Sequence, residues 1–537
     1  MKFNKYFTML FASAALFAAC EEVDALQGGT VTEEQKAAVA QENPEKLSSD
    51  LNALKDNLIQ FGTISTSSST NHLDFGFPAL CLIYDQAGQD MVSEQHGYNW
   101  LGNQLMFKDR VKTSTYNAFI WKLHYQHIKA ANSILKTLNT SEDPQGLTAN
   151  YIGQALASRA FDYLQLAQSY QFTYLGHEAE LAVPIITETM SEEDAMNNPL
   201  ATVEKVYAQI MSDLNTAIPY LANNPVEGDK AQITAAVAYG LRARANMLMG
   251  KYADAAEDAA KALELSGATP YSIAEVSVPS FNNDAHSWIW GAIITTNNDV
   301  VQTGIINWPS HLCSMTGNGY TTAIGMNVVH KRINSALWER IPATDVRKGW
   351  WVDENFYSAN LDNAFGEGYS VPIAETATFA TFTNVKFGPQ DDILFNTENS
   401  QDWPLMRAEE MMLIQAEATG RSAGVEAGKA ILEAFVQTYR DPEYTCSATD
   451  VDAFIDEVWF QRRVELWGEG FSLFDVLRLK KPIIRKGANF SGNVTFEDLP
   501  AESPIFIYSI PESEREANKG IDVSTLREDP VAPKAIM

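Results

Sequence analysis

Apolar residues recur at intervals of three and four along much of the chain. Between Tyr116 and Leu138 they fall at Phe119, Leu123, Ile128, Ala131 and Leu135; between Ala155 and Tyr170 at Leu156, Ala160, Tyr163, Leu164 and Ala167. Between Val203 and Leu221 they fall at Val206, Ile210, Leu214, Ile218 and Leu221. Such spacing gathers each set on one face and predicts amphipathic helices. The stretch from Thr234 to Leu265 predicts a helix to Met249, a tight turn at Gly250, and a second helix after Tyr252 carrying Ala255, Ala256, Ala259, Ala260 and Leu263. Small alanines let two antiparallel helices approach closely. Helix, glycine, tyrosine, helix is the grammar of tetratricopeptide units, although no strict repeat of roughly 34 residues is present. Helical period returns at Arg407–Ala418, Val425–Tyr439 and Val451–Leu477, the last read as one helix.

The segment 268–400 differs. Asn, Thr, Ser, Gly and Trp rise, helical period fades, and short runs such as Trp288–Thr295 and Thr378–Phe387 read as strands. Six of the eleven tryptophans lie here: Trp288, Trp290, Trp308, Trp338, Trp350 and Trp351. The architecture expected is therefore mostly α, with degenerate tetratricopeptide-type helical hairpins (mainly 115–267 and 403–480) and a loop-rich segment with short β strands.

The N-terminus adds an address. Lys2 and Lys5 precede an apolar run from Tyr6 to Phe17, and Ala18 and Ala19 lead directly into Cys20. Small residues before a cysteine are what a lipoprotein signal peptidase needs, so 1–19 reads as a signal peptide and Cys20 as the lipidated first residue of the mature chain. The apolar run is too short to span a bilayer. Acyl chains on Cys20 would anchor the protein, each buried CH2 adding about 0.8 kcal/mol. Residues 20–45 read as a tether, and the acidic run Glu21-Glu22-Val23-Asp24 resembles an export tag to the outer face of an outer membrane.

Charge and cysteine content narrow the chemistry. Of 537 residues 68 are acidic and 39 basic, a net charge of −29, which disfavours nucleic acid as a partner. The four cysteines, Cys20, Cys81, Cys313 and Cys446, form no CxxC or Cys/His cluster, so no zinc site is expected. There is no Gly-rich phosphate loop, no HExxH and no GxSxG. His124 and His127 stand three apart on a predicted helix but lack a third metal ligand nearby. Glu465 and Glu469, on the predicted helix with Arg462, could be read as a glycosidase pair; flanking arginines favour an ion-pair network instead.

Flat rings beside Asn, Asp or Gln are the better clue, since sugars present apolar CH faces and polar rims. Two stretches fit. One holds Tyr98, Asn99 and Trp100; the other holds Trp308, Tyr320, Trp350, Trp351 and Tyr357. These eight are the candidate ligand-binding residues.

Two C-terminal stretches resemble a known family. The first is Trp403-Pro-Leu-Met-Arg-Ala-Glu-Glu-Met-Met-Leu-Ile-Gln-Ala-Glu-Ala418. The second, from Gln461 to Arg478, keeps Arg462, Arg463, Glu465, Leu466, Glu469, Gly470, Phe474, Asp475 and Arg478. Together with Ala157–Tyr163, Val183-Pro184, Thr202–Tyr207, and the closing Ile510-Pro511 with Glu514 and Asn518, they resemble the SusD/RagB family of surface nutrient-binding lipoproteins over roughly residues 45–537. Gln461 stands where the family usually has Glu, and the Tyr170–Phe172 region lacks its Tyr-Gly-x-x-Pro. The resemblance implies a SusD-like domain over 46–537 with four irregular helical hairpins. It implies a binding protein without catalytic residues, cofactor or metal, which delivers its ligand to a SusC-like TonB-dependent outer-membrane transporter. A glycan or oligosaccharide is the expected ligand, an oligopeptide the second choice, and a glycoside hydrolase the third reading.

Overall fold

In the computed structural model, residues 39, 43–63, 72–94, 98–138, 143–321 and 328–536 are described; Cys20 and almost all of the tether lie outside them. Among the described residues no helix is long and apolar enough to cross a membrane.

The predicted helical periods become the main helices. After α1 (Ser48–Asn57) and α2 (Phe77–Gln86) come α3 (Thr115–Leu138), α4 (Gly146–Tyr170), α5 (Val203–Asn223), α6 (Ala235–Leu248) and α7 (Tyr252–Ser266). Then follow α8 (Ala408–Ser422), α9 (Val425–Tyr439), α10 (Val451–Glu465) and α11 (Ser472–Arg478). Each helix from α3 to α9 packs on the next in this series. The series crosses the loop-rich segment without a break, because α7 packs on α8 although some 140 residues separate them. Local signals set the ends. Thr202, Thr234 and Asp450 each accept a hydrogen bond from a first-turn N–H of α5, α6 and α10, which satisfies donors that a helix cannot pair internally. Gly250, at φ +71°, makes the turn between α6 and α7 that a side chain would strain.

Two expectations are corrected. Val451–Leu477 is two helices, not one: α10 stops at Glu465, and Gly468 (φ +85°) and Gly470 (φ +92°) carry the chain through a turn before α11. A Cβ on Gly470 would lie 2.7 Å from the Cys81 Cα of α2, so a glycine-only turn is what lets α2 and α11 meet. The second concerns Thr378–Phe387, which contributes only isolated bridges, Thr383 to Arg332, Asn384 to Trp351 and Phe387 to Ser280. Trp288–Ala292 does form a strand and pairs antiparallel with Trp403–Arg407; Met91–Val92 pairs with Arg332–Ile333.

The core runs through both the helical scaffold and the loop-rich segment, with a smaller cluster of Leu413, Leu432, Phe435 and Phe454 between α8, α9 and α10. The loop-rich segment supplies much of the large buried volume: Trp288, Trp290, Trp308, Trp350 and Trp351 are all inside.

Candidate functional site

One group of aromatic side chains stacks from the core out to the surface, with Tyr98 exposed, Trp100 and His72 half-buried, and Tyr320 and His311 buried. It begins just after Met91–Val92. The Asn99 side chain donates to the Glu94 carbonyl (2.7 Å) and to Ser93 Oγ (3.0 Å), and accepts from the Leu101 N–H (3.2 Å). That self-bonded turn sets Tyr98 and Trp100 on either side of it. Tyr98 is 53% exposed. Trp100 is half-buried and lies flat on the His72 ring, 4.4 Å between centroids and 6° between planes. Its indole N–H is buried and has no hydrogen-bond partner among the described residues.

The second half of the group comes from the loop-rich segment. The Tyr320 hydroxyl is hydrogen-bonded to His72 Nδ1, its ring packs 4.5 Å from that of His311, and Tyr98 leans over it at 6.0 Å. His311 is buried and donates from Nε2 to the His72 carbonyl (2.9 Å). Burial holds His311 neutral, pushing it down to about 3; burial also lowers His72 and raises the Tyr320 hydroxyl. Beneath Asn99 lies Lys331. It is 1% exposed, and among the described residues its ammonium has a single distant partner, Asn99 Oδ1 at 3.5 Å. Burial pushes it down to about 7. The neighbouring Arg332 takes Glu94 as its ion-pair partner.

Of the eight residues chosen from the sequence, Tyr98, Asn99, Trp100 and Tyr320 are brought together here. Tyr357 is exposed on a separate turn, where Asp353 Oδ1 accepts from the Asn355 and Tyr357 N–H groups. Trp308, Trp350 and Trp351 are placed in the core, each at most 1% exposed. Trp308 donates to the Gln401 carbonyl (2.9 Å) and packs edge-on against Trp403 and Phe387. Trp350 donates to the Val276 carbonyl (3.0 Å), and Trp351 meets Trp467 edge-on. None of the three offers a face to a ligand. Sequence reasoning passed over His72, His311 and Lys331, because nothing local to them signals a site; chain distances of more than 200 residues separate the partners.

The charged motifs lie elsewhere, in a buried network. Glu465 accepts from Arg440 Nε and Nη2 (both 2.8 Å) and pairs with Arg347 and Arg407 at 3.3 and 3.4 Å. Glu469, in the turn beyond α10, accepts from Arg407 (2.8 Å) and Lys386 (2.6 Å). Burial alone would raise both carboxyls, but the cations hold them below the usual carboxylate range. Arg462 and Arg478 share Asp475, and Arg478 also holds Glu417 of α8. The two glutamates are thus sealed between α8, α10 and the loop-rich segment, with no room for a sugar ring and water between them. His124 and His127 both bond Asp162, at 2.8 and 2.7 Å.

Comparison with known proteins supplies the relationship. The family model described as "Starch-binding associating with outer membrane" matches residues 81–247, and the one described as "SusD family" matches 340–521. No curated protein matches in sequence. Among solved structures, the chain is similar to a SusD-like carbohydrate binding protein from Bacteroides vulgatus ATCC 8482, at 23% identity and TM-score 0.73, over 91% of this chain and 98% of that one. It is similar to a SusD superfamily protein from Bacteroides thetaiotaomicron VPI-5482, at 18% identity and TM-score 0.71, over 91% and 99%. It is also similar to surface glycan-binding protein A from Bacteroides thetaiotaomicron in complex with laminarihexaose, at 18% identity and TM-score 0.60, over 90% and 99%.

Proposed function

Because the chain belongs to the SusD family, we propose that it binds a glycan or oligosaccharide at the Tyr98–Trp100–Tyr320 patch. The observation that carries this is the patch itself. The exposed Tyr98 ring and the half-buried Trp100 ring share one surface on either side of the Asn99 turn, and the buried Tyr320 ring, from a distant segment, backs Tyr98. A sugar can lay its CH face on a ring, each contact contributing about 0.5–1.5 kcal/mol. A relative of the same fold holds laminarihexaose.

The wider role follows from the N-terminus and the family. Lipidated at Cys20 and held at the outer face of the outer membrane, the protein passes its ligand unaltered to a SusC-like TonB-dependent transporter. A few stacking contacts and hydrogen bonds, less the ordering costs of association, give a binding constant of about micromolar to millimolar. That suits a carrier that must also release.

Calorimetry against a panel of oligosaccharides and a pool of peptides tests the reading. Saturable heat with at least one sugar, abolished by Trp100→Ala, is expected. Heat with peptides alone would replace the glycan with an oligopeptide, and sugar binding indifferent to Trp100→Ala would displace the site.

A further inference from the structure

A second recess lies away from the aromatic patch, between the C-terminal end of α4 and the closing segment 504–527. Its volume is about 440 Å³. Phe172, Leu181 and Leu526 form an apolar wall, and Arg515 and Arg527 line the other side. Arg515 donates from Nε to the Ile510 carbonyl (2.8 Å), and Arg527 from Nη1 to the Pro504 carbonyl (3.0 Å). On each guanidinium, Nη2 is buried and has no hydrogen-bond partner among the described residues. Neither arginine forms an ion pair among the described residues, although the chain carries 68 acidic residues against 39 basic ones.

Of the acids nearby, Asp529 acts at a distance on both arginines and Glu512 on Arg515, neither within ion-pair contact. Asp529 Oδ1 accepts from the Lys112 N–H (2.9 Å), Glu514 accepts from Asn518 (3.0 Å), and Glu502 takes His177 and Lys480. Glu180 is exposed where it lines the recess. Two guanidinium groups in one recess, with no ion-pair contact among the described residues, are costly unless something pairs with them. Burial, reinforced by Arg110 and partly opposed by the Asp529 carboxylate, pushes Arg527 down to about 10, with Arg515 adding to the fall.

We propose that this recess is a second ligand site, which takes an oxyanion (a carboxylate or a sulfate ester) on the Arg515 and Arg527 forks. Guanidinium donors match the geometry of such oxygens. The wall of Phe172, Leu181 and Leu526 gives the site an apolar side, which suits an oxyanion carried on a sugar better than a free ion. The net charge repels polyanions in general, so recognition depends on this local pair.

Calorimetry on the full chain separates the sources, with inorganic sulfate, a sulfated or uronic-acid oligosaccharide, and a neutral oligosaccharide as probes. The acidic oligosaccharide is expected to bind saturably, and the R515M/R527M double variant to weaken it at least tenfold. Leu181→Trp, which fills the recess and leaves both arginines in place, is expected to do the same should the double variant fold poorly. Binding of the neutral sugar is unchanged in both. Saturable binding of inorganic sulfate alone keeps the site and assigns it to the free ion. No saturable heat with either anion, or anion binding lost in Trp100→Ala but kept in these variants, overturns the proposal.

Discussion

Replacing Lys331 with methionine should stabilise the protein, and by an amount that depends on pH. The lysine is 1% exposed, with one weak hydrogen bond and no carboxylate partner among the described residues. Burial pushes its ammonium down to about 7, against an ordinary value of about 10.4 in the unfolded chain. The folded state therefore binds fewer protons than the unfolded state between those values. Stability rises with pH across that window, by about 1.4 kcal/mol per unit. Below pH 7 the folded protein carries the full penalty, about 4–5 kcal/mol; above about pH 10.4 it carries none. Methionine fills a similar volume without the charge. The loss of the Asn99 bond subtracts about 0.5–1.5 kcal/mol, which leaves a gain of about 3 kcal/mol at pH 6 and close to zero at pH 10. Urea unfolding of both proteins at pH 6, 8 and 10 measures this directly. A variant less stable than the parent at pH 6, or a difference that does not change with pH, would refute the reasoning.

Three further outcomes are expected. Trp100→Ala lowers glycan affinity at least tenfold with little change in melting temperature, whereas Trp350→Ala, in the core, costs about 3–5 kcal/mol of stability; paired titration and thermal melts distinguish them. Glu465→Gln leaves Arg440, Arg407 and Arg347 short of their shared anion and should cost about 3–5 kcal/mol in denaturant unfolding at pH 7. In the parent, these arginines hold the carboxyl below the usual carboxylate range. Its contribution is therefore present above the ordinary carboxylate value and lost only as pH falls through its lowered one, so the gap between the two proteins should narrow in strong acid. Gly470→Ala forces a Cβ to within 2.7 Å of the Cys81 Cα at a φ of +92°, and should lower the unfolding free energy by more than about 2 kcal/mol. A near-neutral result there would mean that the α2–α11 contact relaxes easily.

The proposed binding patch was partly legible in the chain. Tyr98, Asn99 and Trp100 announce themselves by proximity, rings around an amide. Tyr320 was found by composition, but its partner His72 was not, since a lone histidine in a polar stretch carries no sign of what it stacks on. Conversely, a tryptophan in a loop-rich stretch looks exposed and is often not. Trp308, Trp350 and Trp351 are among the largest fully buried side chains, because a segment with few regular elements must fill its interior with bulky rings instead of stacked helices.

By itself the sequence determined the helices and their inward faces, since period and capping act over a few residues. It also determined the buried pairing of the Arg462–Arg478 motif, because so many neighbouring charges must neutralise one another. Tertiary structure alone decided which rings face solvent, that glycines split α10 from α11, and that Lys331, Arg515 and Arg527 form no ion pair among the described residues. Those properties depend on contacts between segments hundreds of residues apart, and burial belongs to the packed whole, not to any local stretch.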